Sequence, residues 1–275
     1  MPVDLYNLSA CAPCALVRMV AKHIGVELNV KELNFADEEH LSPEYLKINP
    51  FHKVPTISDD GFPVYESTAI CLYLLNKYAP DSDLYPKDLQ RRARVDQVLA
   101  TVTSFVQPRY SEFYRLLEPL LLEELLEQLD DELSSSSSSS KAGGTGGTSR
   151  AAIAKSSEAR PRDALRLDWP GWLPRNSAMQ MKKPTAQQVQ DLEETALKGL
   201  EHLVGDGKFA VGDALTLADL TLVAHLSYSI MMPVFDREKF SKLVSYHERV
   251  SAQLPYFAET ETITKGLEQK WSALK

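Results

Sequence analysis

Cysteine is scarce in this chain of 275 residues: Cys11, Cys14 and Cys71 are the only three, too few for a disulfide framework and in keeping with a reducing, cytoplasmic compartment. Long apolar runs are missing too. No stretch approaches the roughly 20 residues of a bilayer-spanning helix, and no basic start with an apolar run precedes Asp4, so neither a membrane span nor a secretory signal is expected. Positive charge is the minority sign, 30 Lys and Arg against 38 Asp and Glu for a net charge of -8, without a basic block. This argues against nucleic acid and anionic membrane as partners. Glycine forms neither a phosphate-binding Walker loop nor a dinucleotide-binding fingerprint. His23, His40, His52, His202, His225 and His247 show no ligand spacing, and one cysteine pair without a second falls short of a zinc site, so no metal is expected.

What is present begins at Cys11-Ala12-Pro13-Cys14, between the strand pattern Val3 to Leu8 and the helical run Ala15 to His23. A cysteine in a turn that opens a helix meets unpaired N–H groups and the positive end of the helix dipole, both of which favour a thiolate. Pro13 suits an early helical position because it has no N–H to leave unbonded. Cys14, three residues on, is within reach of Cys11 as a thiol pair, and Ser9 adds a hydroxyl to the same turn. The plainer alternative is that Cys14 is a small buried hydrophobe and Ser9 a turn residue.

The rest of the first 80 residues alternates elements. Leu28 to Leu33 reads as a strand after the break at Gly25, Pro43 to Lys47 as a short helix, and Pro55 to Ser58 as a strand. Asp59-Asp60-Gly61 then turns into a hairpin partner, Phe62 to Tyr65, and Glu66-Ser67 opens a helix over Thr68 to Tyr78. This predicts a compact α/β domain at 1–82, and from Leu89 onward only helical patterns persist, an all-α domain at 88–275 joined through polar Pro80 to Lys87. Its expected helices include a long one from Arg91, bent near Pro108, one bearing Leu122 to Leu133, and one from Pro184 past Leu203. An almost wholly apolar helix ending near Met232, introduced by the capping-box-like pair Thr216 and Asp219, and helices at Glu238 to Ser251 and Ala258 to Trp271 complete it. An insert at 134–183, with seven serines and a Gly/Thr run, has too little to bury to hold a fixed conformation and reads as a tolerated insertion. Its sticky patch is Trp169 to Pro174.

A second constellation lies at His52-Lys53-Val54-Pro55 and Glu66-Ser67. A cis bond before Pro55 would turn the Val54 N–H and C=O outward to pair with an extended peptide. Glu66 offers a carboxylate for an ammonium group, Ser67 and nearby N–H groups suit a carboxylate, and His52 and Lys53 add donors. Together they fit a zwitterionic ligand with carboxylates at both ends; singly, Glu66 and Ser67 would do no more than cap a helix.

With these residues in view the chain resembles the cytosolic glutathione transferases, in particular the insect-type delta and epsilon classes. The resemblance rests on Leu5 to Cys14, Asn49 to Ile57, Glu66 to Ile70, Leu84 to Asp88, Arg92 to Asp96 and Gly212 to Asp219. It implies a thioredoxin-like N-terminal domain, an all-helical C-terminal domain, a homodimer, and addition of glutathione, a co-substrate without further cofactor, to small hydrophobic electrophiles. By position, His52 and Val54 would bind the glycyl and cysteinyl parts beside a cis Pro55, with Lys53 and His40 nearby, and Glu66 and Ser67 would hold the γ-glutamyl end. Val102, Phe105, Arg109, Phe113 and Tyr114 would serve the electrophile pocket, with core packing as the alternative for the aromatics. Thr68 stands where these classes usually carry arginine. Registering Pro13-Cys14 on the family motif puts Cys11 where the activating serine is expected, leaving Ser9 or, less favourably, Tyr6 as hydroxyl donors. The resemblance therefore implies conjugation, with Ser9, Cys11 or backbone N–H groups stabilising the glutathione thiolate. Glutathione-dependent thiol–disulfide exchange through Cys11 and Cys14, or ligand binding without catalysis, are the alternatives.

Overall fold

The computed structural model describes residues 2–9, 11–35, 37–111, 184–232 and 234–258. The expected helix at Leu122 to Leu133, the insert with its tryptophan patch, Phe113, Tyr114 and all but the first residue of the expected Ala258 to Trp271 helix lie outside them.

The N-terminal part is a four-stranded sheet in the order β2-β1-β3-β4, built from β1 (Val3–Asn7), β2 (Leu28–Glu32), β3 (Thr56–Asp59) and β4 (Phe62–Tyr65). β1 runs parallel to β2 and antiparallel to β3, which pairs antiparallel with β4 through the turn at Asp60 and Gly61. Strict alternation along β1 buries Val3, Leu5 and Asn7 and leaves Asp4 and Tyr6 partly exposed. The parallel β1–β2 pair requires a crossover, supplied by α1 (Ala12–His23). Further helices are α2 (Pro43–Ile48) and α3 (Ser67–Tyr78); α3 packs on β3, β4 and α1. Asp59 Oδ2 ties the end of β3 to α3, accepting hydrogen bonds from Tyr73 Oη (2.9 Å), Lys77 Nζ (2.6 Å) and Tyr78 Oη (2.7 Å).

The helical part comprises α4 (Leu89–Thr101), α5 (Ala186–Leu192), α6 (Lys198–Val204), α7 (Leu217–Met231) and α8 (Ser241–Ser251). The thioredoxin-like α/β domain followed by an all-α domain is thus the observed architecture. α7 is buried nearly all round, from Leu217 through Leu226, and α1 lies directly against it, so one apolar core runs through both parts.

Most expected bounds hold to within a residue or two, and the larger differences have local reasons. α1 begins at Ala12 with Cys11 as its N-cap, because Pro13 fits the first turn. Just upstream of Pro108, where a bend is expected, the helix carries a π turn at Val102–Val106, and helical structure continues through residue 111. Pro108 has no N–H and its ring crowds the carbonyl four residues back, which a widened turn just upstream accommodates. α8 starts at Ser241 instead of Glu238, since Asp236 Oδ1 accepts from the Glu238 N–H (3.0 Å) and Lys239 N–H (2.9 Å) and closes a separate turn.

Candidate functional site

The start of α1 is the chemical centre. Cys11, the N-cap, has an extended backbone (φ -131°, ψ 117°) and is partly exposed, while Cys14 at the third helical position is fully buried. The Cys14 S–H donates to the Cys11 sulfur, and this is the main influence holding the Cys11 thiol below its ordinary range against the opposing effect of burial. The Cys14 backbone N–H favours the same thiolate without closing a cap hydrogen bond, and the nearby Arg18 guanidinium adds to it while Glu32 opposes it. Burial, first, and the neighbouring Cys11 push Cys14 well above the ordinary thiol range. The two sulfurs are therefore unequal. One is a partly exposed thiol held below its ordinary range and the other a buried thiol that donates to it.

Arg18 is fixed by a short polar chain. Its Nη1 donates to Asn7 Oδ1 and its Nη2 to the Ser9 carbonyl (3.5 Å), while Glu32 accepts from both Asn7 Nδ2 and the Ser9 N–H. The ends of β1 and β2 and the second turn of α1 thus hold the loop that presents Cys11. Ser9 is exposed and outside the helix, two residues before its cap, so its hydroxyl is set back from the first-turn N–H groups. Tyr6 packs edge-on against Tyr45 (5.2 Å between ring centroids) with the Lys31 ammonium over its ring, on the partly exposed side of β1.

The second constellation sits on the loop into β3 and at the start of α3. The Val54–Pro55 bond is cis, as the resemblance implied. Among the described residues no hydrogen bond engages the Val54 backbone. The loop around it is held by the Lys53 carbonyl, which accepts from Tyr45 Oη (2.5 Å), Asn49 Nδ2 (2.9 Å) and Thr56 Oγ1 (3.1 Å). His52 adopts a left-handed φ of 48° and Lys53 extends outward, exposed. The His52 ring stands 6.4 Å from His40, itself buried and stacked on Phe35 at 4.2 Å, so these two histidines do converge. Glu66 holds φ 69° as the N-cap of α3, yet its side chain makes no cap hydrogen bond, and Ser67 follows as the first helical residue. A non-glycine residue at positive φ is conformationally unfavourable and clusters at ligand-binding positions. The simple capping role for Glu66 does not describe this geometry.

The π turn of α4 adjoins this site: Thr68 Oγ1 and Thr103 Oγ1 stand 3.5 Å apart. Of the residues expected to serve an electrophile pocket, Phe105 is 37% exposed and Arg109 lies over its ring at 3.5 Å, but Val102 is buried in the shared core at 1% exposure. Among the described residues no group of three or more His, Cys, Asp or Glu is arranged to hold a metal ion. Asp219 is structural throughout: it accepts from the Ala210 N–H, the Thr216 N–H and hydroxyl, and Tyr246 Oη.

Sequence reading missed the residues that hold the site. Arg18 had one available signal, its position seven residues after Cys11 and so on the same helical face. Asn7, Glu32, Tyr45, Asn49 and Thr56 had none, because their partners are brought together only by the sheet and its loops.

Comparison with known proteins agrees with this arrangement. The family model for the glutathione S-transferase N-terminal domain matches residues 1–76, and that for the glutathione S-transferase C-terminal domain matches residues 161–253. A delta-class glutathione transferase from Nilaparvata lugens is 28% identical, with 100% of each chain covered and a TM-score of 0.69. An epsilon-class glutathione S-transferase from the housefly, Musca domestica, is 25% identical over 98% of this chain and 97% of its own, with a TM-score of 0.65. A glutathione transferase homologue from Drosophila mojavensis, solved with bound glutathione, shares the fold at 24% identity, 99% and 97% coverage and a TM-score of 0.69.

Proposed function

Because the chain belongs to the glutathione S-transferase family, we propose that it conjugates reduced glutathione to small hydrophobic electrophiles, binding the tripeptide in an extended form between the loop at His52 to Pro55 and the start of α3. The open start of α3 carries this reading: Glu66 is held at positive φ with its carboxylate unused as a cap. That carboxylate suits the γ-glutamyl ammonium, while Ser67 and the first N–H groups of α3 suit its carboxylate. The Val54 backbone pairs with the cysteinyl residue, as one added strand would. His52 and Lys53, with His40 behind them, serve the glycyl carboxylate.

This pose sets the glutathione sulfur against the first turn of α1, where N–H groups and the helix dipole stabilise a thiolate. The thiolate attacks the electrophile; the new bond is carbon–sulfur, and the displaced group leaves with its electron pair or, in addition to an enone or epoxide, the product collects a proton. Cys11 is the side chain nearest to this role because it is the N-cap itself, whereas Ser9 is upstream of it. Phe105 and Arg109 belong to the electrophile side, a role the family resemblance also gives Phe113 and Tyr114, while buried Val102 packs in the core beneath Phe105's turn. Residues 1–82 are the glutathione-binding unit and 88–275 the electrophile-binding unit in this reading. A homodimer and a cytoplasmic location belong to it as well, supported by the exposed rings of Phe51 (56%) and Phe62 (57%) beside Tyr65 and Tyr73, and by three free cysteines.

The test is steady-state conjugation of glutathione to a chromogenic aryl halide. Glu66→Gln and His52→Ala should each raise KM for glutathione about tenfold, the size of a lost charged hydrogen bond, with a smaller change in kcat. Unchanged KM in both would overturn the binding pose.

A further inference from the structure

Conjugation calls on Cys11 only as a protonated donor and leaves the buried Cys14 behind it without a chemical role. Conjugation needs glutathione's own sulfur as nucleophile, and a second thiolate at the same helix start would repel it. Yet the start of α1 supports a thiolate on the protein: Cys11 is partly exposed, receives the Cys14 S–H, and has Arg18 anchored by Asn7 and the Ser9 carbonyl close by. Cys14 is fully buried three residues along, in the first turn of the same helix, so the two thiols are neighbours on one helix start. Cys71, the remaining thiol, is buried in α3 and pushed up by burial, with no such surroundings.

We propose that Cys11 and Cys14 form a working dithiol that reduces glutathione-containing mixed disulfides, Cys11 attacking and Cys14 resolving, as a second activity of the same glutathione site. The inference rests on the binding pose above, which places the glutathionyl sulfur of a bound mixed disulfide against Cys11. The Cys11 thiolate attacks that sulfur; a Cys11–glutathione disulfide forms, the original S–S bond breaks, and the released thiolate takes a proton from water. Cys14 then loses its proton to solvent and attacks the Cys11 sulfur, forming the Cys11–Cys14 disulfide and expelling glutathione. Two further glutathione molecules reduce that disulfide and leave as glutathione disulfide. The net reaction consumes one mixed disulfide and one glutathione, and yields one free thiol and one glutathione disulfide. The two activities draw on opposite states of Cys11: protonated, it can donate to a glutathione thiolate; ionised, it attacks.

The experiment compares the full-length protein with Cys11→Ser and Cys14→Ser, using the mixed disulfide of glutathione and 2-mercaptoethanol for exchange, an aryl halide for conjugation, and titration calorimetry for glutathione binding. Cys11→Ser should lower exchange at least a hundredfold, and should remove any alkaline decline of conjugation caused by Cys11 ionisation, because the serine hydroxyl that replaces the thiol as donor to the glutathione thiolate does not ionise in that range. Cys14→Ser should accumulate the Cys11–glutathione adduct, visible as an intact-mass increase of one glutathionyl group, whereas the parent loses two titratable thiols instead. Exchange that is equal in parent and Cys11→Ser, or absent from a parent that still binds glutathione and conjugates, overturns the dithiol and spares the binding pose. A parent that binds no glutathione overturns both.

Discussion

Asp219 shows how much a single buried side chain can hold. Its carboxylate is fully enclosed and accepts four hydrogen bonds, from Ala210 N–H (2.8 Å), Thr216 N–H (2.8 Å), Thr216 Oγ1 (2.9 Å) and Tyr246 Oη (2.6 Å). Asp219→Ala strands these donors inside the core, so it should destabilise the fold by about 3–5 kcal/mol, while Tyr246→Phe, which removes one donor with its ring in place, should cost about 1 kcal/mol. Urea unfolding midpoints at constant slope decide this, and equal losses for the two variants would refute the assignment. The capping-box spacing of Thr216 and Asp219 made half of this legible, since that pairing is local in sequence. Tyr246 and Ala210 were not legible, because α7, α8 and the loop before them meet only in the folded chain. The same division runs through the active region. Cys11, Val54, Pro55 and Glu66 could be read from turns, prolines and helix starts, whereas the Asn7–Arg18–Glu32 chain depends on two parallel strands and a helix converging.

Among elements, α1 joins the two parts of the molecule: it connects β1 to β2, packs on α3, and lies along α7. Its inward residues Leu16, Val17, Met19 and Val20 are all at most 1% exposed. Truncating one, Leu16→Ala, should therefore cost about 2–5 kcal/mol and shift sheet and helix signals together, as one transition followed by both circular dichroism and intrinsic fluorescence. Separate transitions would show that α1 belongs to the sheet alone. The amphipathic pattern of Ala15 to His23 predicted this helix but gave no hint of two partners. The π turns at Val102–Val106 and Glu193–Leu197, which pack against one another, were also invisible: a hydrophobic period of 3.6 does not register one extra residue in a turn.

On the scale of the whole molecule, three histidines tie stability to pH. His23 bonds Tyr256 Oη through Nδ1 (2.9 Å), His225 lies inside α7, and His247 bonds Ser227 Oγ through Nε2 (2.8 Å). Burial lowers all three, the last to about 4. Each ring is harder to protonate folded than unfolded, so below about pH 6.5 the unfolded chain binds more protons. The resulting stability is complete above that value and drains away as pH falls toward the folded pKa. Thermal midpoints should decline between about pH 7 and pH 4.5, and His247→Gln should flatten that slope; an unchanged slope would exclude His247 as a contributor. Asp4 and Asp59, lowered by their lysine partners despite burial, act in a more acidic window, below about pH 4.

The segment between the two halves carries a less obvious consequence. The Leu217 N–H, at the first position of α7 and so without a carbonyl of its own helix to bond, donates to the Leu84 carbonyl at 2.8 Å. Tyr85 and Pro86 fasten the same stretch to α4, through Tyr85 Oη to Asp96 Oδ1 (2.9 Å) and Arg92 Nε to the Pro86 carbonyl (2.7 Å). The halves are not interchangeable modules: the central helix is completed by a residue that precedes its own domain. A chimera that exchanges the glutathione-binding half with a relative's must carry Leu84 to Pro86 with the helical half, or it separates a helix from the atom that finishes it.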